Sequence, residues 1–340
     1  MGRGRRNVAQ HTGYIYAWNT TGAIVGSLAG GFGLLPLLSA TGCWQLAIIL
    51  LLMLGGGVLF YSLRCEPLNR AAHTVTPVFI VASILLLLSQ GPTAAWRHSP
   101  IGAGRVNLTN KPANEMRQWL NEIRNNQVWE AEGLESMVGL DDYDGYSFTI
   151  NGKTDGNVRR DAPTQVMGPL VGAILHPDPQ TAMVIGMGTG SSAGWLAEIP
   201  TIQRVDQVEL EKGVFEVARR SAPVNNHVLD NPRVRNITGD GREAILTTGE
   251  KYDLIFSEPS NPYRAGIASL YTREFYQAAA KRLNKGGMFS QWVQGYDLDA
   301  RTLRTIYATL YSVFPVVEIW VTRSDDLLFV CSMDERPQSV

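Results

Sequence analysis

The stretch that decides the fold runs from Thr181 to Gly190 and reads TAMVIGMGTG. Its first half predicts a short buried strand, and its second half is a glycine-rich turn that opens a predicted helix. Glycines at positions such as Gly186, Gly188 and Gly190 let the backbone approach a ligand closely. In a chain with 34 glycines the pattern alone is weak evidence. Its position directly after an apolar strand gives it weight.

Outward from this stretch, strand and helix patterns alternate to the end of the chain. The predicted strands are Thr181–Gly186, Arg204–Leu210, Val234–Thr238, Tyr252–Ser257, Gly287–Val293, Val316–Val321 and Leu327–Ser332. The predicted helices are Ser191–Glu198, Glu211–Ser221, Arg242–Thr247, Thr272–Leu283 and Asp299–Phe314. Such alternation predicts a parallel sheet covered on both faces, with the last two strands as an antiparallel hairpin at its edge. Ligands of these sheets bind at the carboxyl ends of the strands.

Two of these strand ends carry acids suited to a nucleoside. Glu209 ends the second strand, where a carboxylate can accept hydrogen bonds from both ribose hydroxyls; the alternative is an ordinary surface acid. Asp240 and Gly241 end the third, where they could read an adenine edge or form a simple turn. Ser191 and Ser192 replace the third glycine of a dinucleotide fingerprint. A nucleoside with a sulfonium tail therefore fits as well as NAD.

The fourth strand is followed by Glu258, at the start of the sequence EPSNPY. A transferred group would lie at this point, so Glu258 is the best candidate for a general base. The alternative is a buried acid that only caps the loop or a helix.

Composition excludes two classes of site. The net charge is -1, which gives no indication of nucleic-acid binding. The three cysteines form no CxxC motif or Cys/His cluster, so no metal site is expected.

The N-terminal part of the chain is strongly apolar. No Lys, Arg, Asp or Glu occurs in residues 7–63, and a membrane-spanning helix needs about 20 residues. Two spans fit this run, Tyr14–Leu38 and Cys43–Leu63, with a break at Ser39–Gly42. A third segment, Val75–Leu88, is somewhat short, and tilt or its flanks can make up the length. A signal peptide and a buried hairpin are the alternatives.

These spans predict a multi-pass protein of the cell's inner membrane, with membrane lipid as a partner. Arginines precede the first span and follow the second, and the positive-inside rule places both groups in the cytoplasm. With three spans the rest of the chain is then periplasmic; with two it is cytoplasmic. Gly22, Gly26, Gly30 and Gly33 share one side of the first span. Small residues at that spacing would let another membrane subunit or a second copy approach.

A linker and a small lead-in separate the apolar part from the alternating part. Ser99–Asn110 reads as a linker, and Pro112–Gln127 has the apolar stripe of an amphipathic helix. Asn151 and Gly152, after an alternating segment, are a hairpin signal. We therefore expect residues 1–97 to form a membrane domain, 98–157 a linker and β-rich lead-in, and 158–340 the α/β domain.

With these residues in place, residues 145–332 resemble the spermidine synthase family of aminopropyltransferases, in particular the membrane-fused branch often labelled "fused transporter/spermidine synthase". The resemblance is carried by NGKTD at 151–155, EPSNP at 258–262 and SLYTREFY at 269–276. It implies a Rossmann-like, seven-stranded methyltransferase/spermidine-synthase fold. Transmembrane helices and the β-rich lead-in would precede that fold.

The resemblance also implies a donor and the residues that bind it. Decarboxylated S-adenosylmethionine, or S-adenosylmethionine itself, would be the co-substrate in the glycine-rich site. Glu209 would hold the ribose, and Asp240 with Gly241 would hold the adenine. The residues expected on the acceptor side are Gln165, Thr189, Asn261 and Tyr263.

Two departures from the family pattern concern the acceptor. Polyamine-making members carry an Asp where this chain has Thr189, and Asp-Ser-Ser-Asp-Pro where it has Glu258 to Pro262. Carboxylates compensate the lost hydration of a polyamine, and a charge-assisted hydrogen bond is worth about 1.5–3 kcal/mol. Thr189 and Asn261 stand where the family has acids, while Glu258 keeps a carboxylate. The loss of those two acids should lower amine affinity by roughly two to four powers of ten.

Three hypotheses follow from the sequence. The first is a membrane-tethered transferase that uses an adenosyl sulfonium donor, with Glu258 as its base and an unidentified acceptor. The second is a non-catalytic subunit that keeps the fold as a scaffold in a membrane complex. The third is a transporter fragment with a sensor domain, which would need to oligomerise to form a transport path.

Overall fold

The computed structural model describes residues 4–65, 70–88, 98–100, 106–133, 135–264, 266–324 and 326–334. The chain divides into two compact units. One comprises residues 1–94 with 132–134, and the other comprises residues 95–131 with 135–340. Part of the expected linker and the expected boundary at residue 97 lie outside the described residues.

Three long helices form the N-terminal unit. They are α1 (Gly4–Ala29), α2 (Leu35–Cys65) and α3 (Arg70–Leu88), and a π-helical turn at Gly30–Leu34 joins α1 to α2. The predicted break at Ser39–Gly42 is wrong, because those residues continue α2. The irregular turn falls earlier, on a glycine-rich sequence whose backbone holds a regular helix weakly.

One helix of the described residues is long and apolar enough to cross a membrane, the Ala40–Tyr61 part of α2. Val75–Leu88 is a shorter apolar segment, and the expected first span does not meet the same criterion. The described residues therefore support one membrane-crossing helix, and the predicted multi-pass arrangement is not supported. A Cβ atom built on Gly22, Gly26 or Gly30 has no described atom within 4 Å, so that face of the unit is open.

The second unit begins with α4 (Ala113–Asn126) and a four-stranded sheet in the order β1-β2-β3-β4, in which β2, β3 and β4 pair antiparallel. The strands are β1 (Gln127–Glu132), β2 (Met137–Asp142), β3 (Tyr146–Ile150) and β4 (Lys153–Asn157). Asn151 and Gly152 join β3 to β4 with φ angles of 52° and 78°, which a tight two-residue hairpin requires. The predicted helix and hairpin are confirmed.

The larger sheet has seven strands in the order β10-β11-β9-β8-β5-β6-β7. The strands are β5 (Thr181–Ile185), β6 (Arg204–Glu209), β7 (Val234–Thr238), β8 (Tyr252–Ser257), β9 (Leu283–Gln294), β10 (Val316–Arg323) and β11 (Asp326–Ser332). Strands β5 to β9 are parallel, and β11 runs antiparallel to both of its neighbours. The Rossmann-like fold and the edge hairpin are as predicted.

Among the described residues, one helix precedes β5 and five helices connect the strands that follow it. They are α5 (Ala162–Leu175), α6 (Ser191–Ala197), α7 (Lys212–Arg220), α8 (Gly241–Thr247), α9 (Arg273–Arg282) and α10 (Ala300–Tyr311), and a 3₁₀ turn spans Ile267–Tyr271. The last five match helical segments predicted from the sequence. Two prolines concealed α5: one occupies its first turn, where no N–H is needed, and Pro169 lies inside it.

The core of the unit fixes the strands that end at the site. β8 is buried along its whole length, as expected for a strand with parallel neighbours on both sides. On one face Phe289 stacks on Phe314 at 5.4 Å between ring centroids and meets Tyr276 edge-on at 5.6 Å. Burying each such side chain stabilises the fold by about 1.5–3 kcal/mol. The loops at the strand ends therefore project from a rigid base.

Candidate functional site

A crevice of about 1600 Å³ lies at the carboxyl ends of β5, β6, β7 and β8, with the four-stranded sheet forming part of its wall. This is where open parallel sheets bind ligands. The predicted site residues that line it are Gln165, Gly186, Gly188, Glu209, Asp240, Gly241, Glu258, Asn261 and Tyr263. The structure does not place Gly190 or Thr189 in its lining.

The glycine turn has the backbone that only glycine adopts easily. Gly186, Gly188 and Gly190 have φ angles of 95°, 52° and 81°. A Cβ atom on Gly186 would lie 2.5 Å from the carbonyl oxygen of Glu258. The absence of a side chain at Gly186 thus lets the loop after β8 approach the turn after β5.

Glu209 joins this turn to the end of β6. One carboxylate oxygen accepts a hydrogen bond from the Met187 N–H, and the other accepts one from the Glu211 N–H, each at 2.9 Å. Burial raises the pKa of Glu209 above its ordinary value, and these N–H groups act in the opposite direction. The carboxylate is therefore an integral part of the turn, with lone pairs left for further donors.

Asp240 and Gly241 begin α8. The Asp240 side chain accepts hydrogen bonds from the N–H groups of Arg242 at 2.7 Å and Glu243 at 3.3 Å, so it caps the helix. It is exposed at the crevice. A Cβ atom on Gly241 would overlap the Ile185 side chain, so α8 packs closely against β5. The capping role does not use the second carboxylate oxygen.

Glu258 follows β8 and lines the crevice beside the glycine turn. Its Oε2 lies 2.7 Å from the Ser192 hydroxyl. Burial, opposed by the Ser192 hydrogen bond and assisted by the neighbouring acids Asp326 and Asp161, raises the pKa of Glu258 to about 7. A carboxyl group that titrates near neutral pH is suited to acid–base chemistry.

Three of the four predicted acceptor residues bond to the protein's own side chains. Thr189 is buried and donates to the Gln165 side-chain oxygen at 2.6 Å. The Oδ1 atom of Asn261, which is also buried, accepts from the Lys153 ammonium. Tyr263, by contrast, is 55% exposed at the crevice edge.

A polar group, here called the Asp155 cluster, holds the loop after β8 against the hairpin of β3 and β4. Its members are Lys153, Asp155, Ser260, Asn261 and Arg264. Asp155 accepts from Ser260 and Arg264 at 2.8 Å each and pairs with Lys153 at 3.1 Å. The Lys153–Asp155 and Arg264–Asp155 pairs are both largely buried. They therefore hold the loop after β8 in place against the hairpin.

Sequence reasoning missed two carboxylates near Glu258. Asp326 is 6% exposed and accepts hydrogen bonds from Thr164 at 2.7 Å and the Trp292 ring nitrogen at 3.1 Å. Asp161 pairs with Arg323 at 2.7 Å. No local motif marks either acid, because Asp326 reaches the site through the edge hairpin.

The crevice is strongly acidic. The acids among its lining residues are Glu122, Glu135, Asp141, Asp144, Asp155, Asp161, Glu209, Glu211, Asp240, Glu258, Asp297 and Asp326. The bases are Lys153, Arg160, Arg264 and Arg323. This excess of carboxylates favours a cationic ligand. Within the described residues, no group of three or more His, Cys, Asp or Glu side chains is arranged to hold a metal ion.

Known proteins resemble this part of the chain. Residues 167–323 match the family model described as the spermine/spermidine synthase domain. A polyamine aminopropyltransferase of Nitrosomonas europaea is 35% identical over 146 residues, which cover 43% of this chain and 45% of that protein. One from Clostridium perfringens is 31% identical over 147 residues, covering 43% and 52%. The chain thus spans about half the length of the curated relatives it matches.

Solved structures show the same fold. The spermidine synthase of Thermotoga maritima superposes with a TM-score of 0.56 and 22% identity over 62% of this chain and 74% of that one. A spermidine synthase in complex with the transition-state analogue AdoDATO gives 0.57 and 21% over the same shares. At these identities the likeness concerns the fold alone.

Proposed function

Residues 167–323 belong to the spermine/spermidine synthase family, and from that membership we propose that the crevice transfers an alkyl group from an adenosyl sulfonium donor to an amine. The donor would be decarboxylated S-adenosylmethionine or S-adenosylmethionine. One observation carries the proposal: Glu209, Asp240 and the glycine turn meet Glu258 on a single crevice.

The donor's nucleoside would lie over the glycine turn. Each carboxylate oxygen of Glu209 accepts one backbone N–H and can accept a second donor. Two ribose hydroxyls would supply those donors. Asp240 would receive the adenine amine on the oxygen that does not cap α8, and Gly241 lets α8 pack closely against β5 beside it.

The charge of the crevice supports a cationic donor and acceptor. A sulfonium and an ammonium group both gain from a surface with three times as many acids as bases. The sequence alone suggested a weakened amine site, because Thr189 and Asn261 replace acids. Asp326 and Asp161 lie close enough to Glu258 to act on its pKa, so they return negative charge to the acceptor side.

In the proposed reaction one bond forms and one bond breaks. The amine lone pair attacks the carbon bonded to sulfur, a C–N bond forms, and the electrons of the breaking C–S bond go to sulfur. The sulfonium becomes a neutral thioether. The acceptor's ammonium group first gives one proton to the Glu258 carboxylate, which frees the attacking lone pair; a pKa of about 7 leaves part of Glu258 as the carboxylate at neutral pH.

The relatives favour aminopropyl transfer over other alkyl transfers. The curated proteins that match are polyamine aminopropyltransferases. Because they extend well beyond the matched region, the acceptor of this chain is proposed by class only. The class is a primary amine, with 1,4-diaminobutane as the first probe.

Calorimetry of the full chain in mild detergent tests the donor. The probes are methylthioadenosine, S-adenosylmethionine and its decarboxylated form, and we expect at least one to bind. Absence of heat with all three would end the proposal. A second assay follows label from decarboxylated S-adenosylmethionine to 1,4-diaminobutane, with Glu258→Gln as the inactive control.

A second candidate, a non-catalytic scaffold, is favoured by two contacts. Thr189 bonds to Gln165, and Asn261 contacts Lys153, so both side chains are already engaged inside the protein. A scaffold would bind none of the three nucleosides and would copurify with membrane subunits in mild detergent. A single, nucleoside-binding chain would count against it.

The Ala40–Tyr61 helix supports a further proposal, that the domain is tethered to the inner membrane. A multi-pass arrangement would require α1 or α3 to cross as well. Full-length chain should stay in the membrane pellet after alkaline carbonate washing. A charge in mid-span costs about 2.5–3.5 kcal/mol, so Leu51→Arg should move chain into the supernatant. Unchanged retention in that variant would contradict a tether through α2.

A further inference from the structure

Ser192 lies between Glu258 and the backbone of α5. Its side chain is buried, and its hydroxyl oxygen is 2.7 Å from Glu258 Oε2 and 2.9 Å from the Gln165 carbonyl oxygen. Both distances are normal for O–H···O hydrogen bonds. A hydroxyl has one hydrogen, so it can donate to only one of these oxygens at a time.

The Gln165 carbonyl oxygen is the more favourable acceptor for that hydrogen. In a regular helix the N–H four residues later would bond to it, and here that residue is Pro169, which has no N–H. A buried carbonyl left unpaired is unfavourable. The Ser192 hydroxyl replaces the missing donor.

Glu258 must then supply the hydrogen in its own contact with Ser192. A charged carboxylate oxygen would face the hydroxyl oxygen with no hydrogen between them. The carboxylic acid form places its O–H in that gap, which completes a chain from Glu258 through Ser192 to Gln165. A Ser192 hydroxyl that donated to Glu258 would lower the pKa of that carboxyl. While the hydroxyl donates to the Gln165 carbonyl, this stabilisation of the carboxylate is lost, and the hydrogen-bond geometry matches the neutral acid.

The charged groups near Glu258 act in the same direction. Asp326 on β11 and Asp161 just before α5 both disfavour its ionised form. Arg323 pairs with Asp161 and partly offsets it. No described Lys, Arg or His side chain forms an ion pair with Glu258 or Asp326.

We propose that Glu258 rests as a carboxylic acid whose hydrogen is held by Ser192, and that a cation bound in the crevice releases that proton to solvent. The inference rests on the proposed function, because it takes the donor's sulfonium as the cation. A nearby positive charge favours the carboxylate. The Ser192 hydroxyl can then turn and donate to Glu258. The base would thus become available when the donor is bound.

Proton release on binding tests this directly. Calorimetry of the full chain at pH 7 in phosphate and in Tris separates buffer ionisation from binding heat. Decarboxylated S-adenosylmethionine should release up to about one proton per site, because the neutral acid loses its hydrogen when the cation binds. Methylthioadenosine has the same nucleoside without the charge and should release none. Glu258→Gln should abolish the release.

Pro169→Ala distinguishes the Ser192 arrangement from mere burial. The alanine N–H would bond to the Gln165 carbonyl and free the Ser192 hydroxyl to donate to the Glu258 carboxylate. The midpoint of the Glu258 titration, followed by carboxyl ¹³C NMR, should therefore fall. Pro163→Ala is the matched control, because a first-turn N–H has no helical partner.

The outcomes separate the two proposals. A ligand-free Glu258 midpoint near the ordinary glutamate value of about 4.3, or an unchanged midpoint in Pro169→Ala, would overturn the inference. Sulfonium binding without proton release would also overturn it, while leaving the donor site intact. If no nucleoside binds, the proposed function fails, and the ligand-free titration still decides the state of Glu258.

Discussion

The carboxylate of Glu209 accepts a hydrogen bond of 2.9 Å from the backbone N–H of Met187. An acid at the end of β6 therefore holds the turn that follows β5. The two features that the sequence suggested separately, a glycine turn and a distant acid, form one structural unit. Substituting either should affect both ligand binding and the shape of the turn.

Glu209→Gln should weaken methylthioadenosine binding. A glutamine presents an NH₂ group where the carboxylate accepts backbone N–H donors, so at least one bond is lost. A hydrogen bond to a charged group is worth about 1.5–3 kcal/mol, which corresponds to roughly a 10- to 150-fold weaker Kd. Calorimetry measures the change, and Glu216→Gln on the outer face of α7 is the control. Equal affinity in both variants would exclude Glu209 from the nucleoside site.

Gly186→Ala should destabilise the domain and distort the crevice. The added Cβ would meet the Glu258 carbonyl at 2.5 Å, and φ at this position is 95°. Strain and overpacking of this kind cost about 1–3 kcal/mol each. Gly239→Ala has no atom within 4 Å of its new Cβ and should be nearly neutral in the same thermal unfolding assay. Similar losses in the two variants would contradict the close approach.

The free energy of unfolding should depend on the ionisation of Glu258 between about pH 4.5 and pH 7. Its pKa is about 7 when folded against an ordinary value of 4.5, so the folded protein holds a proton that the unfolded chain has lost. This contribution falls as pH rises through that window, by at most about 3 kcal/mol. Glu258→Gln should remove the fall, measured as the free energy of unfolding against pH. Parallel curves for wild type and variant would refute the shift; Glu274→Gln, at an exposed site, should follow wild type.

Asp326→Asn should weaken the amine acceptor and spare the nucleoside. The substitution keeps the side chain's size beside Thr164 and Trp292 and removes its charge. With methylthioadenosine bound, 1,4-diaminobutane should bind about 10-fold or more weakly, because one charge-assisted hydrogen bond is lost. Asp230→Asn, at an exposed position outside the crevice lining, is the control. If the Asp326 variant lost nucleoside binding instead, its role would be structural.

Local patterns were enough to predict most of the seven-stranded sheet. Each parallel strand is a short segment between turn residues, and the five helices that connect the strands of this sheet were all predicted. α5, which precedes β5, was not predicted because proline generally breaks helices. One of its prolines lies in the first turn, where the missing N–H has no effect. The position of the irregular turn in the apolar helices was also missed, because it depends on glycine backbone freedom spread over several residues.

The amino-acid order alone identified the glycine turn, Glu209, Asp240 and Glu258, since each follows a strand and parallel strands end at one edge of a sheet. It could not show that Thr189 and Asn261 bond inward, or that Ser192, Asp161 and Asp326 surround Glu258. Those neighbours come from distant parts of the chain, and burial, hydrogen bonding and charge act through space. The protonation state of Glu258 follows from that folded environment, which no single stretch of sequence contains.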